Sequence, residues 1–290
     1  MQSPCPTCPD ALDGLFELLP EIVEHHAPAS TVYLYMKPRV IAAAAGRFGG
    51  AEPAPVPFDP FGTLRFPYFP MGNIDSLDLF GLDELILFAF YWRNRGRYRL
   101  VADFGANLGL HSTILHRCGY QVRSFEPDPV HLGELRRRLA LNDCAVELHE
   151  AAVSTESGRR SFTRVLGNTT SSHLSGEKAA PYGELESFEV ALEDAAPHLA
   201  WADLVKMDIE GHEAEVLCAQ DAELWRSTDV VAEVGTAENA AQIFDRFAAL
   251  PVNLFAQKIG WARVARPDDM PTSHRDGSLF ISVKDAMPWV

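Results

Sequence analysis

From about residue 76 onward, short continuous apolar runs alternate with stretches whose apolar residues recur three and four positions apart. The first run, "RLVADFG" (99–105), predicts a buried strand, and the stretch from Leu108 to about Cys118 predicts the helix after it. "QVRSFEP" is the second expected strand. "PVHLGELRRRLALN" is the second helix, with Leu135 and Leu139 four apart on one face. "VELHEAAV" reads as a third strand, "SGRRSFTRV" as a turn with an added strand, and "ADLVKMDI" as the next buried strand, with "HEAEVLCAQ" its helix. "DVVAEV" and the helical "AENAAQIFDRFAAL" follow. "VNLFAQKIGW" and "GSLFISVK" end the chain as two strands with no room for a helical crossover, hence antiparallel. Apolar strands alternating with helices predict an α/β fold whose largely parallel sheet is covered on both faces. The polar segment 167–187 predicts a mobile loop, and no internal repeat is visible.

The earlier part of the chain has a different texture. "ALDGLFELLPEIVEHH" carries a short helical pattern and "STVYLYM" predicts a strand. In "AEPAPVPFDPFGTLRFPYFP" (51–70) the prolines forbid a helix interior or a central strand, while the phenylalanines predict that the segment lies flat against the fold. This divides the chain into an N-terminal extension or cap, 1–75, and a main domain, 76–290, within the size of one large core plus an appendage.

Composition narrows the class. A net charge of −15 argues against a general binder of nucleic-acid backbones and favours neutral or cationic ligands. The longest apolar run, "LILFAFYW" (85–92), is too short to span a membrane. The N-terminus does not resemble a secretory signal, so cytoplasmic residence is the expectation. Cys118, Cys144 and Cys218 read as core residues. Cys5 and Cys8 form a CxxC that could ligate zinc with His25 and His26, but no second pair follows at finger-like spacing, and the segment reads as a frayed end. No metal ligand is assigned.

Candidate chemistry begins where the first strand runs into "DFGANLG". Gly105 permits a tight turn, and Gly109 permits close packing of the next helix. The spacing is G-x-x-x-G, not the G-x-G-x-x-G that sets a helix N-terminus against a pyrophosphate. Glu126 ends the second strand, 21 residues after Gly105, where an acid can accept both hydroxyl hydrogens of a ribose. Together these fit a nucleoside without phosphate, and S-adenosylmethionine is the candidate.

"VADFGANLGLHS", "FEPDP", "LVKMDIEGHEAEVL" and "VVAEVG" resemble the FkbM family of S-adenosylmethionine-dependent methyltransferases, over about residues 75–285. "NIDSLDLFGLDELILF" resembles the lead-in segment of that family, and "VALEDAAPH" its short element before strand four. The K-x-D-x-E-G-x-E run is the specific part, since the glycine motif is common to most class I methyltransferases. The resemblance implies a class I methyltransferase sheet, Rossmann-like and doubly wound, of seven strands with the last antiparallel. It implies that Asp103, Gly105, Ala106, Asn107 and Gly109 hold the methionine part of the cofactor and Glu126 the ribose, with Ala151 and Ala152 bordering the adenine. It also implies methylation of a hydroxyl on a sugar, a glycan, or a polyketide or peptide natural product.

Open parallel sheets bind ligands at the carboxyl ends of their strands, where Glu126, Asp208, Glu210 and Glu233 all fall. Alternation along the strand puts Lys206, Asp208 and Glu210 on one side. Methyl transfer to an alcohol is an in-line displacement helped by a positioned base. Asp208, Glu210, His212 and Glu233 are the catalytic candidates, with His111 and His173 behind them. Lys206 is expected to pair with a neighbouring acid and Glu213 to serve the start of its helix, while His212 reads equally well as a solvated turn residue. The acids have two further uses, complementing a sulfonium charge and holding a divalent cation against a substrate diol. The loop 260–277, with Trp261, His274 and Arg275, joins segments 51–70 and 167–187 as a candidate substrate wall, although plain packing is the reading for most of these aromatics.

The partner implied is a small hydroxylated molecule, with no nucleic acid and no membrane, and a homo-oligomer is compatible with the sequence. Two other readings stand beside this one. One is a non-catalytic cofactor-binding protein on a methyltransferase fold. The other is a nicotinamide-dependent oxidoreductase, disfavoured by the missing middle glycine. An RNA or protein methyltransferase is weaker, for want of a basic aromatic strip.

Overall fold

Residues 12–49, 53–177 and 183–289 are described by a computed structural model; the Cys5–Cys8 pair lies outside them. Ser30 opens the first long helix, α1 (Thr31–Arg47), by accepting the Tyr33 amide on its hydroxyl at 3.1 Å. The strand expected for "STVYLYM" is therefore a helix. Its β-branched and aromatic residues suit a strand locally, but a capping serine and the alanine run at 42–45 favour helical continuation. Upstream, the expected helix amounts to one turn, Leu15–Leu18, and two 3₁₀ turns, because Pro20 cannot donate the amide that would extend it.

The proline- and phenylalanine-rich segment does lie flat. Phe58, Phe61, Leu64 and Phe66 are buried in one apolar cluster with α2 (Leu82–Arg93) and with Val101, Leu204, Val231 and Phe280 of the sheet. The long apolar run thus belongs to a helix covered on one side by this segment and on the other by strands. No helix among the described residues is long and apolar enough to cross a membrane.

Strand and helix then alternate as β1 (Leu100–Phe104), α3 (Leu110–Arg117), β2 (Gln121–Phe125), α4 (Pro129–Leu141) and β3 (Glu147–His149). Here the third expected strand breaks in two. β4 (Ala151–Ser154) leaves the main sheet and joins β5 (Gly158–Val165), β6 (His173–Leu174) and β7 (Leu185–Asp194) in a small sheet of order β4-β7-β5-β6. The polar segment 167–187 is accordingly not one long loop. It contains a 3₁₀ turn, Thr169–Ser171, and β6. Polar groups among its described residues are engaged locally, as where Ser172 Oγ accepts the Val165 amide and Ser175 meets Thr163 at 2.7 Å.

The chain returns through α5 (Ala195–Trp201) to β8 (Leu204–Met207), α6 (Glu213–Cys218), β9 (Asp229–Glu233), α7 (Ala237–Ala248), β10 (Asn253–Ala256), β11 (Ala262–Arg263) and β12 (Ser278–Ser282). The main sheet has eight strands in the order β11-β10-β12-β9-β8-β1-β2-β3. Of the seven expected, β12 is the antiparallel one, paired with β9 and β10; the eighth is the short edge strand β11. The order reverses between β1 and β8, so the carboxyl ends of those two strands open a crevice. Both faces are apolar: Ala102, Phe104, Val205 and Met207 belong to a second cluster beneath α5, α6 and α7.

Candidate active site

The turn after β1 is held by backbone contacts from both neighbouring strands. The amides of Gly105 and Ala106 donate to the Phe125 carbonyl, at 3.1 and 2.9 Å. Gly105 has φ 77°, and a Cβ there would stand 1.8 Å from the Asp208 carbonyl oxygen. Gly109, at φ 82°, would place a Cβ 3.0 Å from Leu135 of α4. Only glycine fits at 105, while at 109 a larger residue would be strained by its φ and would crowd Leu135. Ala106 packs with Leu132, Leu135 and Leu139, on the far side of the turn.

Glu126 faces this turn directly. One carboxylate oxygen accepts the Asn107 amide at 2.8 Å, and the other accepts the Asp128 amide at 2.8 Å. Each oxygen keeps a further lone pair. Burial pushes the Glu126 carboxyl up to about 8 despite both amides. Asp128 caps α4 and takes a two-pronged contact from Arg164, both distances 2.6 Å. That guanidinium holds the Asp128 carboxyl below its usual range against the effect of burial.

Between these groups lies a cavity open to solvent, with about 600 Å³ of empty space including its mouth. Phe125, Phe162 and Leu174 give it apolar walls, and the small side chains of Ala151 and Ala152 leave room between them. Thr169, Thr170 and Ser172 form a polar rim with His131, which meets Thr169 Oγ1 at 2.8 Å. The threonine rim and Leu174 come from the segment 167–187 expected as a pocket wall, whereas Phe162 was not anticipated, because it arrives on the small sheet. The rim is strapped from outside: the Asn73 amide donates to the Gly167 carbonyl at 2.8 Å, and the Thr169 amide to Met71 at 3.1 Å.

The opposite end of the cavity is acidic, being lined by Asp208, Glu210 and His212. Behind them Lys206 Nζ donates to the Gly105 carbonyl at 2.9 Å and lies 3.5 Å from Asp103 and 3.7 Å from Asp208. Asp103 is therefore not a lining residue. It is fully buried, accepts from Ser112 at 2.6 Å, and braces the lysine that holds the turn. The expected alternation of Lys206, Asp208 and Glu210 stops at Met207, where β8 ends. Glu210 lies in a turn at φ 55°, which Glu213 fixes by accepting the Ile209 amide at 3.0 Å and the Gly211 amide at 3.1 Å. His212 is buried at 1% exposure rather than solvated, with Nε2 3.0 Å from Ser154 Oγ.

Glu233 stands apart from the main cavity. It lines a smaller adjoining one with Glu84, Lys206 and Asp208, so Asp208 borders both. Burial, with the Asp208 and Glu210 carboxylates nearby, pushes Glu233 well above the usual range. His111 is engaged with Glu84 at 2.6 Å and Tyr91 at 3.1 Å, and His173 lines neither cavity. Trp261 is buried in the N-terminal core with its indole nitrogen on His26 at 3.0 Å, and His274 and Arg275 are exposed. The loop 260–277 thus contributes to packing rather than to the main cavity wall. Among the described residues, Asp208, Glu210 and Glu233 do not converge as a three-ligand metal set; the groups that do are His149–Glu193–His198 and Glu177–His212–Glu215.

The residues present fit a sulfonium nucleoside. Lone pairs of Glu126 face the cavity for a diol, an apolar slot lies beside them, and carboxylates stand at the far end where a cationic sulfur gains from them.

Comparison with known proteins agrees. The family described as Methyltransferase FkbM domain matches residues 103–253, more than half of the chain. Methyltransferase sdnD of Sordaria araneosa is 30% identical over 159 residues, covering 43% of this chain and 61% of that protein. The 31-O-demethyl-FK506 methyltransferase FkbM of Streptomyces tacrolimicus is 29% identical over 174 residues, covering 49% and 67%. The chain thus spans 61% of the first relative's length, less than two thirds, and 67% of the second's. Solved structures align loosely. An S-adenosylmethionine-dependent methyltransferase from Agrobacterium tumefaciens gives a TM-score of 0.41 at 9% identity, over 80% of this chain and 71% of that one. A precorrin-6y C5,15-methyltransferase from Geobacter metallireducens gives 0.37 at 16%, over 66% and 82%. With the strand order and the family match in agreement, the chain belongs to the FkbM-domain methyltransferases and has the class I S-adenosylmethionine-dependent methyltransferase fold.

Proposed function

We propose that this protein transfers a methyl group from S-adenosylmethionine to a hydroxyl oxygen of a small molecule, of the sugar, glycan, polyketide or peptide natural-product type. The observation that carries the reading is the cavity itself, with Glu126 against the glycine turn at one end and Asp208, Glu210 and His212 at the other. Bound there, the cofactor supplies an electrophilic methyl group on a cationic sulfur. Glu126 accepts from the ribose hydroxyls, and Phe125, Phe162 and Leu174 enclose the base. Asp208 borders both cavities and is braced by Lys206, which suits it to accept a proton from an acceptor hydroxyl entering from the second cavity. Glu210 and His212 complete the polar end. Oxygen as the acceptor atom is supported by the name of the Streptomyces relative, which describes O-methylation of a demethylated FK506. The net charge of −15 supports a small molecule rather than a nucleic acid as partner, and cytoplasmic residence belongs to the same reading.

The test combines calorimetry with S-adenosylmethionine and turnover on a panel of hydroxylated sugars and polyketides. Asp208→Asn and Glu210→Gln should still bind cofactor, with a modest loss from removing one carboxylate near the sulfonium, and at least the former should lose turnover by about two or more orders of magnitude, which is what a positioned base supplies. Cofactor binding without methylation of any acceptor would favour a binding protein, and binding of NADH in its place would overturn the reading.

A further inference from the structure

The chain changes sheets across a single residue. His149 ends β3 in the main sheet, Ala151 begins β4 in the small one, and Glu150 alone joins them. At that junction two imidazoles and a carboxylate converge from three elements: His149 from β3, Glu193 from β7 and His198 from α5. Their ligand atoms all lie within 4.8 Å of one another. His149 Nδ1 is 2.9 Å, and His198 Nε2 3.0 Å, from the same Glu193 oxygen.

Proton accounting makes this cluster unusual. On its other side, His149 Nε2 is 3.0 Å from a Glu147 oxygen. A neutral imidazole has one N–H and can donate to Glu147 or to Glu193, not to both. With the proton toward Glu147, a bare Nδ1 lone pair faces the Glu193 carboxylate, and the two repel. A cation between them turns both into ligands. Glu147 then becomes the outer carboxylate that fixes the tautomer of a metal-binding histidine.

We propose that His149, Glu193 and His198 bind a divalent transition-metal ion of the zinc class, stapling the small sheet to the main one. Two imidazoles and one carboxylate suit zinc or cobalt(II), whereas magnesium and calcium take oxygen ligands. Ligand atoms of a tetrahedral zinc site stand about 3.3 Å apart, so the two histidine–carboxylate contacts, at 2.9 and 3.0 Å, need to open by only about a few tenths of an ångström. Phe125 steadies both rings, stacking on His149 at 4.3 Å and meeting His198 edge-on at 4.6 Å. Phe125 also lines the cofactor cavity, which places the ion behind that wall and outside the reacting centre. The other group, Glu177–His212–Glu215, is weaker, because the Arg160 guanidinium already sits 2.7 Å from Glu177.

The test uses the full chain, stripped with a chelator and then titrated with zinc or cobalt(II). One ion per chain is expected after desalting, with the visible absorption of a low-coordinate cobalt(II) site and a raised melting temperature. His198→Gln and Glu193→Gln should lose the ion, while His212→Gln should retain it. Should those variants fail to fold, imidazole proton–nitrogen NMR of the wild type reads the same site without substitution. Failure of the wild type to retain stoichiometric metal, full retention by both variants, or resonances of His149 and His198 unmoved by zinc would each overturn the proposal. None of these readouts depends on methyl transfer.

Discussion

Gly105 and Asp208 meet backbone against backbone, with a Cβ on the glycine falling 1.8 Å from the Asp208 carbonyl oxygen. The turn that follows one strand is thus seated on the exit of its neighbour, and Lys206, reaching the Gly105 carbonyl at 2.9 Å, closes the contact from below.

Gly105→Ala should be among the most damaging single changes in the chain. A left-handed φ alone costs a larger residue about 1–3 kcal/mol, and the overlap with Asp208 is relieved only by parting β1 from β8. The melting temperature should fall by several degrees or more, with loss of cofactor binding in calorimetry. A melting curve within a degree of wild type would show that the turn relaxes far more easily than its contacts imply.

Glu126→Gln separates ligand binding from folding. The amide keeps one oxygen for a backbone N–H, but its NH2 sets a donor where the other oxygen accepts the second backbone amide and would accept a ribose hydroxyl. Leaving a buried donor unpaired costs about 1–3 kcal/mol, so affinity for S-adenosylmethionine should drop by roughly 5- to 150-fold. Wild-type affinity would remove the ribose assignment.

The ligand-free protein should lose stability as pH rises from about 6.5 to about 8.5. Burial lifts Glu126 to about 8 and Glu213 to about 7, from 4.5, and burial with neighbouring carboxylates lifts Glu233 in the same direction. Each holds a proton in the folded chain that it releases on unfolding. That contribution is complete below 4.5 and is lost as pH climbs through the folded values. His26 and His131, held down to about 4 by burial, act in the opposite direction only below about 6.5, which leaves the higher window clean. Thermal melts across that window check the sign, and a melting temperature that rises with pH contradicts it.

Removing residues 1–75 should leave an insoluble or unfolded chain. Phe58, Phe61 and Phe66 share one core with α2, β1 and β8, and residues 71–73 strap the rim of the cavity. Truncation bares that apolar face of α2. A soluble 76–290 fragment with a cooperative melt would show that the extension is a separable cap.

The parts of this fold legible in the sequence are those encoded in short runs. The apolar strands, the glycine turn, Glu126 and the acidic exit of β8 each occupy a few consecutive residues. Lys206 and Glu213 were readable because charge beside a strand end must be paired or used. What escaped depends on distant pairing. Nothing near Glu150 announces that the strand breaks there, so Phe162 could not be assigned to the cavity and Leu174 was reached only as part of the 167–187 wall. His212 gave no local sign of burial, since the groups covering it, Ser154 and Glu177, come from the small sheet and its loop. Tertiary context likewise made a helix of "STVYLYM", where composition alone suggested a strand.

The small sheet is attached at one end by Glu150 and at the other by α5, while the turn at Gly105 and the acids of β8 belong to the main sheet. Phe162 and Leu174 therefore reach the nucleoside end of the cavity from outside the main sheet, and under the proposed function substitutions there alter the grip on the cofactor base. A designer wishing to admit a bulkier acceptor should begin instead with Leu87 and Ser278, which line the smaller adjoining cavity beside Asp208.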